Sequence, residues 1–163
     1  MDKEKLKKEF DGLYETYSDA LFRYCFFKTR DRELAKDMLQ EVFLKAWVYM
    51  QSHTILQIRP FLYQLARNTV IDWYRKKKAS SLEYLMEQGF EPEDRISDTS
   101  GFAEKEQAMK LVGQLGSEDQ ELIILRFVEE LSPKEIGEIL GERENTISVR
   151  IHRALERLRK LAH

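Results

Sequence analysis

The chain of 163 residues is 42% hydrophobic and 34% charged, which is enough for one ordinary domain or two small domains with hydrophobic cores. Its formal net charge of −2 argues against a general nucleic-acid coat protein, although charges can still be segregated along the chain. The single cysteine, Cys25, excludes an internal disulfide, and no stretch has the length of a membrane span or the apolar core of a signal peptide, which predicts a cytoplasmic protein without membrane insertion.

Periodic apolar residues in the first half of the chain predict three helices. Apolar side chains recur every three or four residues over residues 5–28, and again from the N-cap residue Asp31 to about residue 49. Residues 51–59 have the pattern of a loop, and Pro60 then opens a third helix that ends in the lysines 76–78. Because strand-like alternation is absent and glycine and proline are few, we expect an all-α protein.

The second predicted helix carries two carboxylates beside its apolar stripe. Asp37 and Glu41 lie one helical turn apart on a shared face, and Gln40 accompanies them. A carboxylate pair can serve acid–base catalysis or hold a metal, but no histidine or third carboxylate falls at ligand spacing and no nucleophile is present. We therefore interpret this face as solvated or partner-binding, and we expect no enzymatic activity, metal or cofactor.

The third predicted helix interleaves aromatic and basic residues over the segment 61–78, FLYQLARNTVIDWYRKKK. Aromatic rings can stack on unpaired bases while cations follow the phosphate backbone, so the segment suits single-stranded or melted DNA. The competing interpretation places Trp73 in the core and leaves the lysines as a solvated helix end that complements the helix dipole. The residues concerned are Tyr63, Arg67, Trp73, Tyr74, Arg75, Lys76, Lys77 and Lys78.

The composition changes after residue 78, which divides the chain into two predicted domains. Residues 79–103 are acidic and rich in turn-forming residues, and we interpret them as a linker with one helical turn near residues 82–86. A second helical domain, residues 104–163, follows with helices over 104–114 and about 117–128. The first domain then comprises residues 1–78.

Residues 131–159, LSPKEIGEILGERENTISVRIHRALERLR, have the pattern of a helix-turn-helix. Ser132 and Glu135 form a capping box around Pro133, which suits the first helical position. Gly141 can adopt a positive φ and end the first helix. The second helix starts near Asn145, and its apolar stripe consists of Ile147, Ile151, Ala154, Leu155 and Leu158.

The charge of the second helix favours DNA binding over a plain helical hairpin, which is the commoner structure with this pattern. Residues 142–163 carry six basic side chains against the three acids Glu142, Glu144 and Glu156. This excess lies in the helix that would face phosphates, as the electrostatic contribution to nucleic-acid binding requires. The basic residues are Arg143, Arg150, Arg153, Arg157, Arg159 and Lys160.

Three segments in this order resemble the bacterial RNA polymerase sigma factors of the extracytoplasmic-function (ECF) group. They are DRELAKDMLQEVFLKAW (31–47), FLYQLARNTVIDWYRKKK (61–78) and the helix-turn-helix, and the resemblance covers nearly the whole chain. It implies a first domain that binds core RNA polymerase and melts the −10 promoter element, an acidic linker, and a second domain that reads the −35 element. It also implies an anti-sigma factor as a partner.

The resemblance implies a role for individual residues as well. Asp37, Gln40 and Glu41 fall in the helix that binds core polymerase, and the loop 51–58 falls where the family captures a flipped base. The −10 DNA would be bound by Arg67, Asn68, Trp73, Tyr74, Arg75, Lys76 and Lys77. The −35 DNA would be bound by Asn145, Thr146, Ser148, Val149, Arg150, His152 and Arg153, with Thr146 and Arg150 at phosphate-contacting positions.

Some positions depart from the family pattern. Gln64 stands where a basic residue is common, and Ser148 and Val149 stand where a basic residue and a serine are common. Glu142 and Glu144 add negative charge beside the expected DNA groove. The alternative hypothesis is a stand-alone helix-turn-helix regulator, which would bind duplex DNA without polymerase and would have no need of the aromatic and basic segment 61–78.

Overall fold

The computed structural model describes the backbone of residues 2–88 and 103–162 and the side chains of residues 2–78 and 107–162. Every regular element in these ranges is a helix, which confirms the predicted all-α fold. The chain divides into two units, Met1–Ile96 and Ser97–His163. Within the described ranges, no helix has both the length and the apolar character needed to cross a membrane.

The N-terminal unit contains the helices α1 (Lys3–Thr29), α2 (Arg32–Met50) and α3 (Ile58–Gln88). The predicted N-cap of α2 is confirmed, since the Asp31 carboxylate accepts hydrogen bonds from the backbone N–H groups of Glu33 and Leu34 at 3.0 and 3.2 Å. Helix α1 ends at Arg30, which has a φ of 57° and donates its backbone N–H to the Phe26 carbonyl. These caps fix the sharp reversal between α1 and α2.

The core of the N-terminal unit lies where the three helices meet, and each of them packs on the other two. The rings of Tyr24 and Tyr63 meet edge to face, with centroids 5.8 Å apart. Cys25 is fully buried, as expected of a structural thiol. The other central side chains are Leu21, Ala35, Met38, Val42, Ala46, Leu62 and Ala66.

Helix α3 differs from the prediction at its C-terminal end. It continues to Gln88, ten residues beyond the predicted boundary at residue 78, where we had expected a linker with one helical turn. The segment 79–88 contains neither glycine nor proline and is rich in helix-forming residues, so nothing in it interrupts the helix before Gly89. The rest of the predicted linker, residues 89–102, lies outside the described residues.

The C-terminal unit contains α4 (Ala103–Gly113), α5 (Ser117–Ile123), a π-helical segment (Ile124–Val128), α6 (Pro133–Leu140) and α7 (Glu144–Ala162). We had predicted one α-helix over 117–128, but its second half is π-helical, since the Glu129 N–H donates to the Ile124 carbonyl five residues back.

The core of the C-terminal unit includes six fully buried side chains, which are Leu122, Leu125, Leu131, Ile136, Ile147 and Ala154.

Candidate nucleic-acid and partner-binding sites

Local hydrogen bonds shape the start of α6, and two glycines shape the turn between α6 and α7. The predicted capping box is confirmed: the Glu135 N–H donates to Ser132 Oγ at 3.1 Å, and the Ser132 N–H donates to Glu135 Oε1 at 3.0 Å. Gly141 ends α6 with a φ of 73°. Gly137 faces the turn so closely that a Cβ atom there would lie 2.5 Å from the Glu142 carbonyl oxygen. This close approach fixes the start of α7 relative to α6.

Helix α7 buries one side and presents the other to solvent. Ile147, Ile151 and Ala154 face the core, as the apolar stripe predicted. Six of the seven residues expected to bind −35 DNA are exposed, so α7 can lie in a major groove without losing its core contacts. These six are Asn145, Thr146, Ser148, Val149, His152 and Arg153.

Arg150, the seventh predicted −35 residue, is held by two acids. Its guanidinium forms an ion pair with the Glu142 carboxylate, and a second one with Glu118 of α5 at 3.7 Å. Arg157, two turns further along the same flank, donates two hydrogen bonds to the Asp119 carboxylate at 2.8 and 3.0 Å. The pairings with Glu118 and Asp119 were not predicted from the sequence, because the acids of α5 are far away in the chain and no periodic pattern links them to α7.

His152 also has an acidic neighbour on the exposed side of α7. Its Nε2 lies 3.1 Å from Glu156 Oε1, one helical turn further along, and both side chains are more than half exposed. An exposed pair of this kind is weak, so it leaves His152 able to turn towards a base edge.

The residues expected to bind core polymerase share the exposed side of α2, where Asp37, Gln40 and Glu41 all face solvent. Leu44 and Val48 continue the same stripe and are 63% and 61% exposed. We call these five residues the α2 surface. Leu44 and Val48 were not predicted from the sequence, although their helical spacing from Asp37 and Glu41 puts them on this face and could have identified them.

A lysine connects the α2 surface to α3. Lys45 Nζ lies 3.1 Å from Glu41 Oε1 and donates to Thr69 Oγ1 at 3.3 Å. The Thr69 hydroxyl in turn donates to the Leu65 carbonyl at 2.8 Å. Thr69 is buried and directly follows the exposed Asn68. The carboxylate of Glu41 is therefore connected through Lys45 to the part of α3 that is predicted to contact DNA.

The aromatic and basic segment of α3 has both structural and accessible members. Tyr63 is buried in the core, and the Tyr74 hydroxyl donates to the Lys28 carbonyl at the end of α1. Burial raises the pKa of Tyr74, and the nearby positive charge of Arg30 opposes that shift. Trp73 is half-buried, and Lys77 Nζ lies 4.8 Å from its ring centroid. Arg67 is also half-buried, whereas the exposed cations are Arg75, Lys76, Lys77 and Lys78.

Aromatic rings cluster around the loop between α2 and α3, with Tyr49 at the end of α2, His53 in the loop and Phe61 at the start of α3. The rings of Tyr49 and His53 are stacked, with centroids 4.3 Å apart and planes at 13°, and the Phe61 ring lies 4.7 Å from that of Tyr49. Leu56 is 92% exposed. A shallow concave surface beside the stack is lined by Leu44, Lys45, Val48, Tyr49, Ser52 and His53. Flat rings beside an open surface can hold an unstacked base.

Among the residues that the structure describes, no three acidic, cysteine or histidine side chains are grouped so that they could hold a metal ion.

A helix-turn-helix in one unit and an aromatic, basic helix in the other suggest a protein of transcription initiation, and two family models define its class. The model described as "Sigma-70 region 2" matches residues 13–80, and that described as "Sigma-70, region 4" matches residues 105–158. The chain is therefore a sigma factor, which directs RNA polymerase to promoters. This finding excludes the alternative of a stand-alone helix-turn-helix regulator.

The relatives identify the group within this class. The RNA polymerase sigma factor YlaC of Bacillus subtilis is 32% identical, and the alignment covers 96% of this chain and 93% of the relative. The ECF sigma factor SigW of the same organism is 30% identical over 93% of this chain and 87% of its own length. The chain belongs to the ECF family of RNA polymerase sigma factors, as the sequence motifs indicated.

A solved structure supports the fold. The sigma factor RpoE of Bartonella quintana, crystallised with the anti-sigma factor NepR, is 23% identical, with a TM-score of 0.74. The match covers 95% of this chain and 97% of RpoE.

Proposed function

We propose that the two units of this sigma factor divide its task between them. The N-terminal domain, residues 1–78, binds core RNA polymerase and holds the melted −10 element, and the C-terminal domain, residues 104–163, reads the −35 element as duplex. The observation that supports the second assignment is the exposed side of α7, where the side chains predicted to read bases lie opposite a buried apolar stripe. The protein acts in the cytoplasm with polymerase and catalyses no reaction itself.

Core polymerase binds at the α2 surface in this proposal. Leu44 and Val48 supply exposed apolar area in its middle, and Asp37, Gln40 and Glu41 supply polar and acidic groups around it. An apolar centre with a polar rim is the usual composition of a specific protein interface. Charge reversal at its acids should weaken association by repelling a complementary partner, and loss of the apolar side chains should weaken it by removing the centre of the contact.

The melted −10 element binds along α3 and the preceding loop. Asn68 and the half-buried Arg67 and Trp73 lie on α3, which carries exposed cations for the phosphates at residues 75–78. Because the Tyr74 hydroxyl is bonded to the end of α1, this tyrosine contributes through its ring face. The Tyr49–His53 stack provides a further flat surface, which can offset the few kcal/mol lost when a base leaves the helix stack.

The −35 element binds along α7. Ser148, Val149, His152 and Arg153 read base edges, Asn145 begins the contact, and Thr146 and Arg150 contact phosphates. An anti-sigma factor regulates the protein by covering one of these surfaces. The RpoE structure, which contains an anti-sigma factor, supports a partner of this kind.

Transcription in vitro tests the proposal. Purified protein is added to sigma-free bacterial core polymerase over a fragmented genomic library, and the RNA 5′ ends are sequenced. We expect discrete start sites that share two upstream motifs at a fixed spacing. Absence of start sites while the protein remains bound to core polymerase would contradict the DNA assignments, and absence of binding as well would contradict the α2 surface.

A further inference from the structure

Arg150 lies between two carboxylates that belong to different elements. Glu142 precedes α7 in the turn, and Glu118 stands in the first turn of α5. The Arg150 side chain is only 28% exposed, whereas that of Glu118 is 86% exposed. The cation expected to meet a DNA phosphate is therefore already neutralised inside its own unit.

The position of Glu142 is set by the turn. Its backbone N–H donates to the Gly137 carbonyl at 2.9 Å, and its own carbonyl oxygen occupies the space where a side chain at residue 137 would begin. Arg150 is two turns into α7, whose Ile147 and Ile151 are anchored in the core. Both ends of the pair are thus attached to rigid backbone, and the pair is a built-in feature of the helix-turn-helix.

We propose that Glu142 limits the phosphate contribution to promoter binding by holding Arg150 in an internal ion pair that DNA must replace. This inference rests on the proposed role of Arg150 as a phosphate contact. An arginine whose charge is already balanced by a carboxylate releases fewer counterions when it binds a DNA phosphate. The affinity for promoter DNA then depends less on contacts to the DNA phosphates and more on contacts to the base edges. Glu142 is one of the departures from the family pattern, and this pairing gives it a function.

The test measures the binding of reconstituted holoenzyme to a promoter fragment chosen by the transcription experiment, over a series of salt concentrations. Glu142→Gln keeps the size of the side chain and removes its charge. We expect it to tighten binding about two- to fivefold, as for the loss of one exposed ion pair. We also expect the slope of log K against log salt to steepen by up to about 0.9, the value for one additional phosphate contact.

Two further variants separate the possible outcomes. Arg150→Gln should weaken binding, and adding Glu142→Gln to it should change nothing more, because the pair is already gone. Glu144→Gln removes a carboxylate from the same end of α7, away from Arg150, and should leave the slope unchanged.

Each alternative outcome has a distinct meaning. If Arg150→Gln has no effect, the phosphate role of Arg150 fails, and this inference fails with it. If Arg150→Gln weakens binding but Glu142→Gln weakens it too or changes nothing, the inference alone is overturned. An equal gain from Glu142→Gln with and without Arg150 would also overturn it, because simple repulsion of DNA would then be the cause.

Discussion

Arginines on one helix have different roles here because their angular positions differ. Arg153 points away from the core and is exposed, whereas Arg157 lies on the flank next to α5 and holds the Asp119 carboxylate in two hydrogen bonds. Residue type alone would assign both to DNA. The structure separates a cation available to a base edge from one that joins two helices.

This separation predicts different results for the two alanine variants. Arg153→Ala should weaken promoter use by about 1–3 kcal/mol and relax selection at one or two base pairs of the −35 element, because guanidinium contacts to base edges carry specificity. Arg157→Ala should leave the base preference unchanged and cost about 0.5–1 kcal/mol of stability, since the pair is partly exposed. Selection from a randomised −35 library measures the preference. Identical selection by the wild type and by Arg153→Ala would contradict the assignment.

A second prediction at this scale concerns Gly137. Its substitution by alanine places a Cβ atom 2.5 Å from the Glu142 carbonyl oxygen, so the turn must move. We expect Gly137→Ala to destabilise the C-terminal unit by about 1–3 kcal/mol, the usual cost of overpacking. Chemical denaturation followed by circular dichroism measures the change.

Gly12→Ala is the matched control, since nothing lies within 4 Å of a Cβ atom at that position of α1. It should stabilise the N-terminal unit by about 0.5–1 kcal/mol, because alanine favours helix interiors over glycine. If Gly137→Ala were as stable as the wild type, the close approach of residue 137 to the Glu142 carbonyl would be contradicted.

Residue periodicity predicts which side of a helix is buried but not which charges meet. The stripe from Ile147 to Ala154 is visible in the sequence because helical spacing repeats locally. The Arg157–Asp119 pair joins residues 38 positions apart, and only the packing of α5 on α7 brings them together. The roles of Arg150 and Arg157 therefore needed the structure.

At the scale of elements, α3 is joined to the end of α1 by Tyr74. Its hydroxyl donates to the Lys28 carbonyl, and burial raises its pKa above the ordinary value of 10.0. The unfolded chain then loses the phenolic proton at a lower pH than the folded chain. The contribution of the protonated Tyr74 to the free energy of unfolding is fully present below pH 10, and it is lost as the pH rises through the pKa of Tyr74 in the folded chain.

Tyr74→Phe should therefore be less stable than the wild type near neutral pH, by about 1 kcal/mol for the lost hydrogen bond. The difference should shrink as the pH rises above about 10, where the wild type must release the proton that it donates to the Lys28 carbonyl. Urea denaturation at pH 8 and pH 11 measures both values. Tyr14→Phe, at an exposed tyrosine of α1, is the control, and an unchanged gap between the wild type and Tyr74→Phe would refute the prediction.

The sequence predicted the existence of the elements better than their ends. The helices up to residue 78 and the helix-turn-helix follow from apolar periodicity and caps, which are local signals. The end of α3 at Gln88 was missed because residues 79–103 were interpreted as one segment, whose glycines, proline and most of whose acids lie after residue 88. The π-helical segment after Ile123 was missed because a five-residue hydrogen bond leaves little trace in apolar spacing.

At the scale of the whole molecule, the α2 surface and α7 belong to different units, so their functions should be separable by mutation. Arg153→Ala should relax selection at one or two base pairs of the −35 element while the protein still co-purifies with core polymerase. Variants of the α2 surface should keep both units folded but should no longer bind core polymerase. That pattern is expected if each unit carries its own set of contacts.

Asp37→Lys combined with Glu41→Lys should reduce core polymerase binding by at least about 30-fold, roughly 2 kcal/mol, because reversed charges at an interface repel a complementary partner. Leu44→Ser with Val48→Ser should weaken binding as well, since both side chains are mostly exposed and their loss leaves the core intact. Co-purification with core polymerase measures both, and circular dichroism verifies the helices. Lys110→Glu reverses an exposed charge on α4, in the other unit, and is the control. Wild-type binding by both double variants would move the polymerase site away from α2, whereas equal loss in the Lys110→Glu control would show that the effect of charge reversal is not specific to the α2 surface.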